Sequence, residues 1–300
     1  MTENRAAAGP GQNGTPESED PHHRDRVMEA AEIVRRRAWR GVQLWGAASI
    51  VLWLAGVLPL LQAVGVAAFF LLFPAIGIAQ LPLLGVERLE RIPVYLGSII
   101  TILSLGAIGL FLGTRLVSAG EFGLAPLALP DFFIWTIGLT VAAFLVILVF
   151  RPIELRVEGS HASILRELLP ESGREKGVFA GLSLSAGLGE ELAYRGYAFQ
   201  AVLWMGAGPW GAAVISALPF GALHAYQGAI GVLRTAILGV ILAVPVVITG
   251  SLYPSMAAHA LIDLLVGLVF GPRLISERST SQSPSDPDAL TTPFNDPESA

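Results

Sequence analysis

The chain contains no cysteine, which excludes disulfide staples, thiolate nucleophiles and thiolate-bound metals. Charge is also scarce, since Asp, Glu, Lys and Arg make up only 14% of the 300 residues and the formal net charge is -5. Outside the membrane flanks no basic tract is large enough to hold a nucleic acid by its phosphates, so nucleic acid is not expected as a partner. A signal-peptide pattern is missing too, because the first residues are polar and the first long apolar run begins near Val42. What fills the sequence instead is hydrocarbon: 53% of the residues are hydrophobic, gathered into blocks about as long as a bilayer-spanning helix. The expected fold is all-α, a polytopic transmembrane helical bundle set in a lipid bilayer.

Hydropathy and breakers give about eight spans, at roughly 42–59, 63–84, 94–113, 132–150, 177–201, 210–225, 231–249 and 254–270. The cations fall on one side of this scheme. With the N-terminus inside, the inner segments hold Arg24 to Arg40, Arg88 and Arg91, Arg151 to Lys176, and Arg273 and Arg278, while the outer loops hold Arg115. Residues 1–23 and 271–300 are rich in Pro, Gly, Ser and acidic side chains and are expected to be disordered tails. Residues 24–41, with Arg35, Arg36, Arg37 and Arg40 around Trp39, suit a short interfacial helix that anchors topology. Residues 151–176 read as a cytoplasmic linker. Ile153, Leu155 and Val157 alternate there in a non-helical period, and Ile164, Leu165, Leu168 and Leu169 recur as one face of a surface helix ended by Pro170.

The spans fall into two chemical classes. The four within 42–150 are bulky and almost free of polar side chains at depth, as accessory helices would be. The four within 177–270 carry Glu190, Glu191, Arg195, His224, Arg234, His259 and Asp263, and ionisable groups inside a bundle mark a site by default. Helical spacing orders them. Glu191 and Arg195 are four apart, a spacing that makes a salt bridge; Glu190 is rotated away, toward Tyr194 and Tyr197. Without a dedicated cation, Glu190 is the better candidate for proton transfer as a general base or acid. Phe220 and His224 share a face, as do His259 and Asp263.

These three stretches, EELAYR at 190–195, FGALH at 220–224 and HALID at 259–263, resemble the signature of the CPBP intramembrane protease family, which includes type II CAAX prenyl proteases and the bacteriocin-processing or immunity proteins. The resemblance covers roughly 175–270. It implies that Glu190 activates water, that His224 and His259 complete the catalytic site, and that Glu191, Arg195, Phe220 and Asp263 support it. Asp263 stands where the eukaryotic-type prenyl proteases have Asn, so specificity for prenylated substrates is not carried over. The expected location is the cytoplasmic membrane of a prokaryote, with both termini inside, and the expected partner is a membrane-associated protein or peptide substrate.

The chemistry that follows is peptide hydrolysis. Ionised Glu190 takes a proton from water, the water attacks the scissile carbonyl, and the proton passes to the leaving amine, with His224 and His259 holding the water and the oxyanion. No cofactor is favoured. Zinc is the alternative, with Glu190, His224 and His259 as ligands, although the HExxH arrangement is missing. Two other readings compete: a serine protease using Ser183 or Ser185, and a transporter or non-enzymatic scaffold that uses the same ionisable groups for protons or helix association. Depth is the tension in this scheme, because the span limits place His224 near the inner end, Glu190 near the middle and His259 toward the outer end.

Overall fold

The computed structural model describes residues 21–85, 90–157 and 167–270. They form eight helical passages: α1 (Pro21–Leu54), α2 (60–79), α3 (Arg91–Gly113), α4 (Leu129–Val157), α5 (173–204), α6 (Pro209–Leu223), α7 (Gly228–Thr249) and α8 (253–270). Each expected span coincides with one of them. Among the described residues five are long and apolar enough to cross a membrane, namely Leu60–Leu83, Arg91–Gly113, Leu129–Glu154, Ala225–Thr249 and Tyr253–Phe270. Of the remaining three, α1 and α5 are diluted by charged residues and α6 has only 15 residues. The chain is an all-helical integral membrane protein. No strand occurs among the described residues; one isolated antiparallel bridge, Leu124 to Ser251, joins the α3–α4 loop to the α7–α8 loop.

Two expectations are corrected at the helix ends. The basic segment is not a separate interfacial helix, because α1 runs unbroken for 34 residues from Pro21. No proline interrupts it after that first position, and its Ala30 is buried, so packing carries the helix through the arginine cluster. Likewise α4 does not stop at Phe150 but continues through Pro152 to Val157. A tertiary ion pair, Arg234 Nη1 to Glu154 Oε1 at 2.6 Å, ties that extension to α7 and overrides the alternating pattern at 153–157. The tails at 1–20 and 271–300, and Ile164 and Leu165 of the expected surface helix, lie outside the described residues. Leu168 and Leu169 are in a turn and a bend instead.

Three of the passages contain π-helical segments: Ala68–Leu72 in α2, Glu191–Ala198 in α5 and Leu265–Phe270 in α8. Such wide turns cost hydrogen-bond quality and are found mostly at functional sites. The one in α5 spans five of the six residues of EELAYR. It packs on the one in α2 through Phe69, whose ring meets Tyr194 at 6.0 Å and Tyr197 at 5.0 Å. Around these rings the main core gathers from α2, α3, α5, α6 and α7, including Leu112, Phe122, Phe220 and Val246.

Small residues let α5 sit deep among its neighbours. A Cβ on Gly106 of α3 would fall 2.6 Å from the Cα of Gly189, so the two backbones touch. On the other side, a Cβ on Gly187 would come 2.5 Å from the Met256 carbonyl oxygen and 2.8 Å from the Ala260 Cβ of α8. Close backbone approach of this kind is the usual currency of helix packing in lipid. Gly187→Val is expected to push α5 and α8 apart at a cost of about 1–3 kcal/mol, the usual range for overpacking. A lowered melting temperature in detergent, with loss of whatever activity depends on the α5–α8 pairing, checks this.

The start of α5 is fixed by a capping box. Ser172 Oγ accepts from the Glu175 N–H at 3.2 Å, and Glu175 Oε2 accepts from the Ser172 N–H at 2.9 Å and the Glu171 N–H at 2.8 Å. From α3, Arg91 clips the same turn through Glu171 Oε1 at 2.7 Å and the Glu167 carbonyl at 2.7 Å. The Ser172 and Glu171 backbone N–H groups hold the Glu175 carboxyl below the ordinary glutamate range. Its contribution is therefore complete above the unfolded value of about 4.3 and is lost as pH falls through the lowered one. Ser172→Ala is expected to cost about 1 kcal/mol at neutral pH. Amide exchange at 172–176, corrected for intrinsic rate, should rise on acidification in the wild type, and that rise should be smaller in Glu175→Gln.

Candidate active site

The charge pair of α5 is built as the four-residue spacing required. Arg195 Nη1 donates to Glu191 Oε1 at 2.7 Å, and both side chains are essentially sealed, 1% and 0% exposed. Burying such a pair is tolerable only if each partner is further satisfied. Arg195 adds a bond from Nε to the Gly239 carbonyl of α7 at 3.3 Å. Its guanidinium carbon lies over the Phe220 ring, 4.0 Å from the centroid, a cation–π contact between two buried side chains. Gly239 leaves room for this, since a Cβ there would sit 3.1 Å from Arg195 Nη2 and 3.2 Å from Phe220 Cδ1.

Glu191 has a second partner that the spacing did not reveal. His259 Nδ1 lies 2.8 Å from the same Oε1, so its N–H donates to the carboxylate. That bond fixes the imidazole: Nε2 faces the other two carboxylates, 3.7 Å from Glu190 Oε2 and 3.8 Å from Asp263 Oδ2. His259 is thus surrounded by three acids from two helices. Glu191 is committed to Arg195 and His259, whereas Glu190 is not committed. Glu190 Oε2 is buried without a hydrogen-bond partner among the described residues, as are Glu191 Oε2, Tyr194 Oη and Arg195 Nη2. Several unspent buried polar atoms in one place are uncommon.

Phe220 joins the second motif to the first and third. Its ring meets Tyr194 at 5.5 Å, His224 at 5.0 Å and His259 at 6.1 Å. His224 follows the last residue of α6, and its Nδ1 lies 2.9 Å from the Phe220 carbonyl oxygen. A carbonyl only accepts, so Nδ1 carries a proton in this bond and Nε2 is left for another partner. The mismatch in depth expected from span limits does not keep the two histidines apart, since the Phe220 ring meets both of them.

The structure brings together the charged and aromatic residues of the three motifs. Glu190, Glu191, Arg195, His259 and Asp263 are joined by contacts between charged groups, and Phe220 and His224 by ring packing and a hydrogen bond. It does not supply a serine nucleophile: Ser183 Oγ and Ser185 Oγ donate to the Phe179 and Gly181 carbonyls of their own helix, at 3.0 and 2.8 Å. Nor, among the described residues, do any three His, Asp or Glu side chains converge as metal ligands do. Nδ1 is engaged in both histidines, which leaves Nε2 as the nitrogen each presents. Sequence reasoning missed Tyr226, Gln227 and the partner of Arg234. Arg234 had stood out as a cation at depth, but Glu154, its partner, fell in the stretch read as linker.

Residues 175–265 match a family model described as Type II CAAX prenyl endopeptidase Rce1-like. No curated protein and no solved structure matches the chain. The match takes in all three motifs and covers under a third of the chain, leaving α1 to α4 outside it. The segment that holds Glu190, His224 and His259 is Rce1-like, in keeping with the resemblance to CPBP intramembrane proteases.

Proposed function

We propose that the chain is an intramembrane endopeptidase that hydrolyses a peptide bond of a membrane-associated protein or peptide, with Glu190 activating the water. The observation that carries this reading is the division of labour between adjacent acids. Glu191 is spent on Arg195 and His259, while Glu190, one residue away and 3.7 Å from the same imidazole, keeps an unpartnered oxygen. The similarity of residues 175–265 to an endopeptidase family supports it. Glu190 accepts a water proton as the water oxygen bonds to the scissile carbon, and the carbonyl π pair moves onto oxygen. Collapse breaks the C–N bond, and protonated Glu190 returns the proton to the leaving nitrogen. His224 Nε2 accepts the second hydrogen of the water and fixes its lone pair on the carbonyl. His259 is held in line by Glu191, and Arg195 holds Glu191 in place.

In this reading residues 177–270 are the catalytic core, 42–150 are accessory helices and both termini are cytoplasmic, so that the arginine-rich end of α1 lies on the inner surface. No metal takes part. The test is metal content and turnover on one purified sample in proteoliposomes, before and after prolonged chelation. Two internally quenched probes are used, one peptide on a farnesyl anchor and the same peptide on a transmembrane-helix anchor. Hydrolysis that survives chelation, with zinc far below one per chain, is the expected result. Stoichiometric zinc that tracks turnover would replace the glutamate mechanism. Absence of hydrolysis of both probes, with function in cells surviving Glu190→Gln, would favour a scaffold or transporter.

A further inference from the structure

Between α6 and α7 the chain makes a single 3-10 turn, Ala225–Gln227. Gly228 follows at φ 83°, a left-handed value that glycine adopts without strain. Gly231 leaves the space that the Gln227 side chain occupies. The turn is locked from below by polar contacts. Arg234 Nη2 donates to Gln227 Oε1 at 2.6 Å while Nη1 is held by Glu154 of α4 at 2.6 Å. Thr235 Oγ1 adds a longer bond to the same Oε1 at 3.4 Å. With its oxygen doubly engaged, Gln227 must present its amide N–H groups the other way, and Nε2 donates to Tyr226 Oη at 3.0 Å.

The direction of that last bond is the point. A phenol that accepts from an amide keeps its own proton to donate. Tyr226 packs its ring beside His224, with centroids 5.9 Å apart and planes at 34°, on an imidazole that also meets the Phe220 ring at 5.0 Å. His259 Nε2 lies between the Glu190 and Asp263 carboxylates and the N–H at His224 Nδ1 is spent on the Phe220 carbonyl, so a further donor beside His224 would add to the site. Tyr194 Oη and Arg195 Nη2 are unpartnered, but their side chains are sealed from any substrate. Tyr226 is half-buried, so a bound peptide can reach it.

We infer that Tyr226 is a catalytic residue of the peptidase proposed above, donating its hydroxyl hydrogen to the scissile carbonyl oxygen as that oxygen becomes negative, and that Gln227, held by Arg234 and Glu154, is the positioning residue that aims it. Nothing is transferred: the phenol keeps its proton and the charge on oxygen returns to the carbonyl as the C–N bond breaks. Donors of this kind act on the transition state more than on the ground state.

The experiment compares wild type, Tyr226→Phe, Gln227→Leu, the double variant and Glu190→Gln, all full-length in proteoliposomes with the two quenched probes. Tyr226→Phe is expected to lower kcat about a hundredfold, the lower end for loss of one oxyanion donor, with KM and melting temperature little changed. Gln227→Leu should lower kcat by a smaller factor and add nothing further in the Tyr226→Phe background, a coupling that a merely structural role would not produce. Turnover of Tyr226→Phe within about threefold of wild type, or a change confined to KM, would overturn the assignment while the glutamate reading stands. So would equal losses for Gln227→Leu with and without Tyr226. A fall in melting temperature that accounts for the loss in Tyr226→Phe would also overturn it. Glu190→Gln retaining hydrolysis, or a wild type that cleaves neither probe, would instead sink the underlying peptidase reading, and this inference with it.

Discussion

Glu190→Gln is expected to bring peptide hydrolysis down by about 10²–10⁴-fold, the range that removal of a general base costs, while the protein inserts and melts as before. The reason lies in what Glu190 does not do. Its Oε2 has no hydrogen-bond partner among the described residues, and its nearest basic neighbour, His259 Nε2, is 3.7 Å away. The amide keeps the volume of the acid and removes one negative charge from a cluster in which three carboxylates face a single imidazole, so no structural bond is lost. Turnover at saturating probe, alongside the thermal transition of the same preparation, gives both halves of the expectation. Near wild-type turnover in the purified variant would remove Glu190 from the mechanism.

Arg195→Ala is expected to fail in the opposite manner, through the scaffold. It strips Glu191 of its 2.7 Å partner in a fully buried position, and breaking a buried pair from one side typically costs about 3–5 kcal/mol because an uncompensated charge remains. It also empties the slot over the Phe220 ring and releases the bond to the Gly239 carbonyl. Arg195→Lys does little better, because an ammonium cannot lie flat on the ring and bond Glu191 and Gly239 together. The apolar double variant Glu191→Met with Arg195→Met separates the two roles of the pair. Replacing both charges recovers much of the melting temperature lost in Arg195→Ala, yet activity stays low, since His259 loses the acceptor that orients it. A melting temperature unchanged in Arg195→Ala would refute the structural role.

Glu191 and Arg195 were legible from their four-residue spacing, and the charge-bearing half of the chain was legible because carboxylates and imidazoles stand out against hydrocarbon. The π-helical turn was not. Its residues have no distinctive pattern, and only packing of Phe69 against Tyr194 and Tyr197 shows what the wider turn accommodates. The bond from His259 to Glu191 was likewise hidden, since it joins positions 68 apart and both residues had closer candidates in sequence. Local rules extended helices too little at 151–157, where a contact 80 residues away, Glu154 to Arg234, decides the outcome.

The π-helical stretch Glu191–Ala198 makes the centre of the bundle sensitive to phase. It follows Glu190 directly and precedes Tyr197 and Gln200, which bond Gln62 of α2 and the Glu121 carbonyl of the α3–α4 loop. Its surplus residue sets the angle between the part of α5 that holds the acids and the part that anchors them. Removing one residue, Ala193 for example, would let the backbone rewind as an ordinary α-helix with the parts on either side kept close to their present phase, since a π-helical turn is how a helix takes in a surplus residue. The change would fall inside the stretch, where Glu191 and Arg195 would stand three residues apart instead of four and the wide turn that meets Phe69 would be gone. A deletion elsewhere in α5 has no such turn to draw on and would rotate everything beyond it by about 100°, a lesion that no substitution at a single position reproduces.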